Sequence, residues 1–138
     1  MGQQQLLLIV LGVIIVGIAV VVGINVFTAS SVQANSDALI ADCTNLAAMA
    51  QQHYRKPAAL GGGGNTFDGS GTPAGTAWTV PANLLQTGNM SAAVAPTVGA
   101  QTVTLVATGT EDNAAGTGKI TVTMVFGPNA ITSTTPAL

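Results

Sequence analysis

Residues Leu6–Ile24 read LLLIVLGVIIVGIAVVVGI, a run of 19 residues without a polar side chain. As a helix rising ~1.5 Å per residue it spans roughly 28 Å, about the thickness of a bilayer's hydrocarbon core. Such a segment is apolar on every face. It belongs in lipid, or in the middle of a large protein. A chain of 138 residues offers no large interior. A secretory signal peptide is the other reading. It lacks support here, because no basic residue precedes the run and the run exceeds the usual apolar region of ~7–15 residues. The sequence therefore predicts a retained, membrane-inserting helix.

Working outward, no charged side chain occurs before Asp37, and no proline before Pro57. Beyond Val26 and Phe27 the chain turns amphipathic without leaving helical spacing. Val32, Leu39, Cys43, Leu46, Ala50 and Tyr54 form one apolar stripe, mostly three or four residues apart. Gln33, Asn35, Ser36, Asp37, Asp42, Asn45, Gln51 and Gln52 supply the wetter faces. Arg55 and Lys56 complement the dipole of the last turn, and Pro57 with Gly61–Gly64 stops the helix. The expectation is one helix of about 50 residues, or roughly 75–80 Å.

Residues 57–138 differ in composition. They hold 13 Gly, 16 Thr and all six Pro, but only four charged side chains. Leu60–Ala77 reads as a loop. Thr76–Val80 (TAWTV) is a candidate strand ended by Pro81, and Ser91–Ala95 a weak one ended by Pro96. Gln101–Thr108 and Lys119–Phe126 are the strong strands. In the second, Ile120, Val122, Met124 and Phe126 alternate with Thr121, Thr123 and Val125, the period of a half-buried strand. Val103, Leu105 and Ala107 line the same face of its partner. Gly109–Gly118 connects the two as a hairpin, and a short last strand falls near Ala130–Thr134. The fold class is α+β: a long N-terminal helix whose second half is covered by a small antiparallel sheet. Three stretches follow: an apolar helix at 1–27, its amphipathic continuation at 28–56, and a Gly/Thr-rich sheet domain at 57–138.

Composition narrows function. Charged residues make up 6% of the chain, against ~25% in an ordinary soluble domain. Three Lys and Arg cannot neutralise a run of phosphates, so no nucleic-acid partner is expected. Cys43 is the single cysteine, which excludes an internal disulfide and a thiolate zinc site. Ala115–Lys119 (AGTGK) echoes a phosphate loop but fails it, because Asn113 stands at the first glycine position and Ile120 follows the lysine. Glu111, Asp112 and Asn113 read as a solvated turn rather than a calcium site, and Asp68–Gly71 lacks the distal glutamate of a calcium loop. His53 reads as a capping or interface residue. Trp78 and Tyr54 read as core anchors. Asn89-Met90-Ser91 matches the N-glycosylation triplet, and the many Ser and Thr allow O-linked sugars. No base, nucleophile and orienting group stand at recognisable spacing. No catalytic, cofactor or metal residue is expected, and the chain reads as a structural protein rather than an enzyme.

The segment MGQQQLLLIVLGVIIVGIAVVVGINVF at Met1–Phe27, with the stripe up to Tyr54 and a small sheet beyond it, resembles the type IV pilin family and the related type II secretion pseudopilins. The resemblance implies a subunit held in the inner membrane, processed by a prepilin peptidase, and polymerised by a membrane assembly machinery into an extracellular filament of identical copies. It implies that Met1 is the mature, N-methylated first residue; cutting after Gly2 is the alternative. It places the assembly contacts at Met1, Gln5, Leu6, Leu8, Leu11, Gly12, Ile15, Gly17, Gly23 and Phe27. The family usually carries a glutamate at the fifth mature position, thought to pair with a neighbour's terminal amine. Gln5 keeps the length and loses the charge, and an amide is much less costly to bury in lipid than a carboxylate. Gln3, Gln4 and Gln5 read either as inter-subunit amide contacts or as a polar cap on a membrane helix. The disulfide loop common in bacterial pilins is missing. A pseudopilin, or a single-pass membrane-anchored binding module, remains the alternative.

Overall fold

A computed structural model describes residues 2–137. Helix α1 runs from Gly2 to Arg55, 54 residues without a break. Four strands follow: β1 (Met90–Val98), β2 (Val103–Asp112), β3 (Lys119–Phe126) and β4 (Ile131–Ala137). They form one antiparallel sheet in the order β1-β2-β3-β4. Single-turn 3-10 segments at Ala58–Leu60 and Ala82–Leu84 punctuate the connection between helix and sheet. The chain divides into two compact units, Met1–Ser31 and Val32–Leu138.

The second unit is α+β, with the amphipathic part of α1 packed on the sheet. Its helical contribution is a stripe of Val32, Ser36, Leu39, Cys43, Leu46, Ala47 and Ala50, all buried. Steps of three and four residues keep these side chains on one face. Tyr54 extends the stripe as a half-buried residue at the helix end. Opposite them stand Val103, Leu105 and Ala107 of β2 and Ile120, Val122, Met124 and Phe126 of β3, each fully buried. The alternation expected for β3 is therefore observed, with Thr121, Thr123 and Val125 turned to the half-exposed face. Phe67 and Trp78, from the loop, and Met90 and Val94, from β1, complete the core. Phe67 sits between Tyr54 (ring centroids 4.8 Å apart) and Phe126 (5.9 Å, edge-on at 87°), which joins helix, loop and sheet through three rings.

Polar side chains along the helix fix its rotation on the sheet. Asn35 donates to the Asn89 carbonyl at 3.0 Å, and its own side-chain oxygen faces the Glu111 N–H at 3.5 Å. Gly109 permits this approach, since a Cβ there would collide with the Asn35 side-chain oxygen. Asp42 accepts hydrogen bonds from the Thr87 hydroxyl at 2.7 Å and the Asn89 amide at 3.3 Å. Gln51 donates to the Gly127 carbonyl, and Tyr54 to the Gln101 side-chain oxygen at 2.8 Å.

The structure corrects several strand boundaries. Thr76–Val80 belongs to no ladder. Its Thr76 and Trp78 N–H groups donate to the Gly62 and Phe67 carbonyls at 3.0 and 2.7 Å, so the loop, not a strand, takes them. Pro96 does not end β1, which continues to Val98. β1 is an edge strand, where a missing N–H is tolerated. β2 reaches Asp112, so the β2–β3 connection is shorter than Gly109–Gly118, and an Asn113–Gly118 bond of 2.7 Å closes it. β4 is longer than Ala130–Thr134 and ends at Ala137.

Candidate functional site

The first unit is bare helix, and its surface is the site. Every large apolar side chain from Leu6 to Phe27 is more than half exposed, from 52% at Leu11 to 77% at Phe27. Soluble monomers rarely present apolar surface of this extent. It is the one helix among the described residues long and apolar enough to cross a membrane, and none of that apolar window is buried within the chain. The exposed apolar helix suggests packing with a membrane or with partners.

Helical geometry sorts the expected assembly residues. At about 100° per residue, Gln5, Leu8, Leu11, Gly12 and Ile15 share one face, spaced as i, i+3, i+6, i+7 and i+10. Gly23 returns to the same side, and Phe27 lies at its margin. Leu6 and Gly17 fall on the opposite side. The residues thus ring the helix, and no single face of it is set apart by burial. Gly12, Gly17 and Gly23 have nothing within 4 Å of where a Cβ would stand, so the chain itself leaves their surface open to close approach. Met1, expected as both contact and methylated residue, lies outside the described residues. The Thr28 hydroxyl donates back to the Ile24 carbonyl at 3.0 Å, which satisfies within the helix the first hydroxyl after the apolar run.

Several of the remaining polar groups are engaged with one another. Lys119 pairs with Asp112 at 3.0 Å and donates to the Thr110 carbonyl at 2.7 Å, an arrangement of a hairpin end and not of a phosphate loop. Asn113 caps its own turn through the Thr117 N–H at 3.0 Å. Asp68 accepts from the Ser70 hydroxyl at 2.6 Å and the Ser70 N–H at 3.0 Å, and these bonds hold its carboxyl below the usual value. Among the described residues no three His, Cys, Asp or Glu side chains come together as a metal site. Asn89, the glycosylation candidate, spends its side-chain amide on Asp42, and its neighbour Met90 is buried. Cys43 lies in the core, where burial, with Asp42 beside it, pushes the thiol up to about 11. His53 is half-buried with its Nδ1 shielded and, among the described residues, without a hydrogen-bond partner. Burial, and secondarily the Lys56 charge, push its pKa down.

Sequence reasoning missed two features. The first is the Asn35–Asp42 clamp, whose signal was the placement of short polar side chains flanking the apolar stripe. The second is the wrapping of the helix end by the glycine run, described below. No family model, curated protein or solved structure matches the chain significantly. The architecture is pilin-like: a long N-terminal helix with an exposed apolar half, and a four-stranded antiparallel sheet packed on the other half.

Proposed function

We propose that this chain is the structural subunit of a type IV pilus-like filament, polymerising through the apolar half of α1. The observation that carries the reading is the contrast between the two halves of one continuous helix. From Val32 onward the chain buries its own apolar stripe, whereas from Leu6 to Phe27 it buries none. The exposed half is soluble in lipid. Once extracted it needs a new apolar environment, and parallel copies of the same helix provide one. Lipid is already apolar, so the transfer from bilayer to bundle gains through close packing rather than through leaving water. Extraction therefore calls on an inner-membrane assembly machinery. The finished product is extracellular, built from one kind of subunit, and its role is mechanical rather than enzymatic. Cell adhesion is among the uses such a filament serves.

Gln5 in this reading contributes a neutral hydrogen bond to a neighbour's terminal amine, and packing carries the assembly. Gln5→Glu is then expected to leave fibre yield largely intact. Ile14→Lys tests the reading as a whole, because Ile14 lies near the middle of the apolar run and is exposed. A charge at the centre of a membrane helix costs about 2.5–3.5 kcal/mol on insertion and has no partner in a dry bundle. Cells expressing the variant should yield no fibres on shearing, while wild-type cells yield long ones. Normal fibre yield from Ile14→Lys would contradict the proposal. Short assemblies confined to the periplasm would favour a pseudopilin, and material that shear never releases would favour a membrane-anchored module.

A further inference from the structure

The chain carries three basic and five acidic side chains, few enough for each to be followed. Lys119 and Asp112 pair with one another at 3.0 Å, the one ion pair among the described residues. Asp42 is held by Thr87 and Asn89, and Asp68 by Ser70. Asp37 accepts a hydrogen bond from the Gln33 amide at 3.0 Å, and Arg55 donates to the Asn129 side-chain oxygen at 3.4 Å. Both of those partners are neutral, so both charges stay uncancelled. The last two charges lie at the same two ends. Lys56 follows Arg55, and the Glu111 N–H faces Asn35, two residues before Asp37.

Asp37 and Arg55 stand 18 residues apart on α1. At about 3.6 residues per turn that is close to five whole turns, which returns Arg55 to the face of Asp37 at a distance of ~27 Å along the axis. Ala41, Thr44, Ala48 and Gln52 continue this face between them at steps of three and four, and all six residues are exposed. None of the four is charged, so no nearer charge on the face competes for either end. The amphipathic half of the helix thus shows an acid at its start and a base at its end, on one exposed side, with neutral side chains between.

We propose that Arg55 of one copy pairs with Asp37 of a second, parallel copy displaced lengthwise by about five turns of helix. The inference rests on the filament reading, in which all copies leave one membrane in one orientation, and it adds a contact outside the apolar run. Within a single chain the two charges lie well beyond the screening length of ~8 Å at physiological salt and cannot satisfy each other. A displaced copy brings opposite charges together. Each copy then offers its base to one neighbour and its acid to another. The contact is heterologous and propagates along an open polymer, whereas antiparallel copies would satisfy both charges in a two-fold dimer and stop there.

The test compares fibres sheared from cells producing the wild-type chain, Asp37→Arg, Arg55→Glu and the doubly reversed chain. Each single reversal sets like charges against each other and should lower the pelleted fibre mass roughly fivefold, the factor that ~1 kcal/mol produces. The double reversal should restore most of it. The two residues are too far apart to rescue one another within a chain, so recovery reports a contact between copies. A second pair of variants leaves both charges in place. Ala34 and Gln52 are exposed and also 18 residues apart, so the same displacement brings them to one level on adjacent copies. Fibres carrying both Ala34→Cys and Gln52→Cys, treated with a short bis-maleimide, should give a ladder of covalent multimers, and each single variant should remain monomeric. Cys43 stays in place as a buried, silent thiol. Intact fibres with no ladder, a product that stops at the dimer, or a double reversal no better than the single ones overturns the pairing and leaves the filament standing. Absence of fibres from wild-type cells removes the filament reading itself, and this pairing with it.

Discussion

The backbone N–H of Gly63 donates to the carbonyl of His53 across 2.9 Å and helps close the C-terminal end of α1. The last carbonyls of a helix have no partner within it. Here the glycine-rich segment turns back and supplies donors, with Asn65 N–H on the Tyr54 carbonyl at 3.0 Å and Gly64 N–H on the Lys56 carbonyl at 3.1 Å. The wrap is close enough to exclude side chains. A Cβ on Gly62 would strike the Lys56 carbonyl oxygen, and one on Gly63 the Thr66 carbonyl oxygen. Gly62→Ala and Gly63→Ala should each destabilise the sheet unit by about 1–3 kcal/mol, read as a fall in thermal midpoint. Gly118→Ala, with nothing within 4 Å, should stay within ~0.5 kcal/mol of wild type.

Phe126 closes β3 against the Phe67 ring and is fully buried. Truncation to alanine removes both the transfer energy and the packing around the hole. Phe126→Ala should cost about 3–5 kcal/mol in denaturant unfolding. Thr123→Ala, on the half-exposed face of the same strand, should cost no more than ~0.5 kcal/mol.

His53 makes stability depend on pH in a defined direction. Its folded pKa lies below the ordinary histidine value of about 6.5, through burial first and the Lys56 charge second. Just below that ordinary value the unfolded chain binds a proton that the folded chain refuses. Stability is therefore full above it and falls as acid is added, until the folded imidazole protonates too. Thermal midpoints measured from pH 7.5 down to 5 should decline in wild type and decline less in His53→Gln. Parallel curves would refute the assignment.

Cys43 is expected to be inert. Fully buried and with its thiol pushed up to about 11, it presents almost no thiolate near neutrality. A maleimide at pH 8 should leave the folded chain unlabelled and label it promptly after denaturation. Rapid labelling of the folded subunit would place Cys43 elsewhere than in the helix–sheet core.

Much of this architecture is legible in the residues, because two periods carry it. The step of three and four from Val32 to Ala50 and the step of two from Ile120 to Phe126 each mark one buried face, and burial follows both. Thr76–Val80 has the same step of two and is not a strand. Alternate burial fixes which side chains turn inward, but the ladder depends on which carbonyls come within reach, and those belong to distant Gly62 and Phe67. β4 was legible only in part, since a strand with no buried side chain leaves no pattern in hydrophobicity. The apolar half of α1 is unmistakable in sequence. What covers it is not, since lipid and sister helices ask the same residue types of it.

The most direct measurement is electron cryomicroscopy of native material sheared from cells, at a resolution that traces helices. Fibres are expected in which the Leu6–Phe27 segments of many copies touch one another, with neither lipid nor detergent between them. Particles in which each such helix stands alone in a lipid or detergent sheath would contradict it.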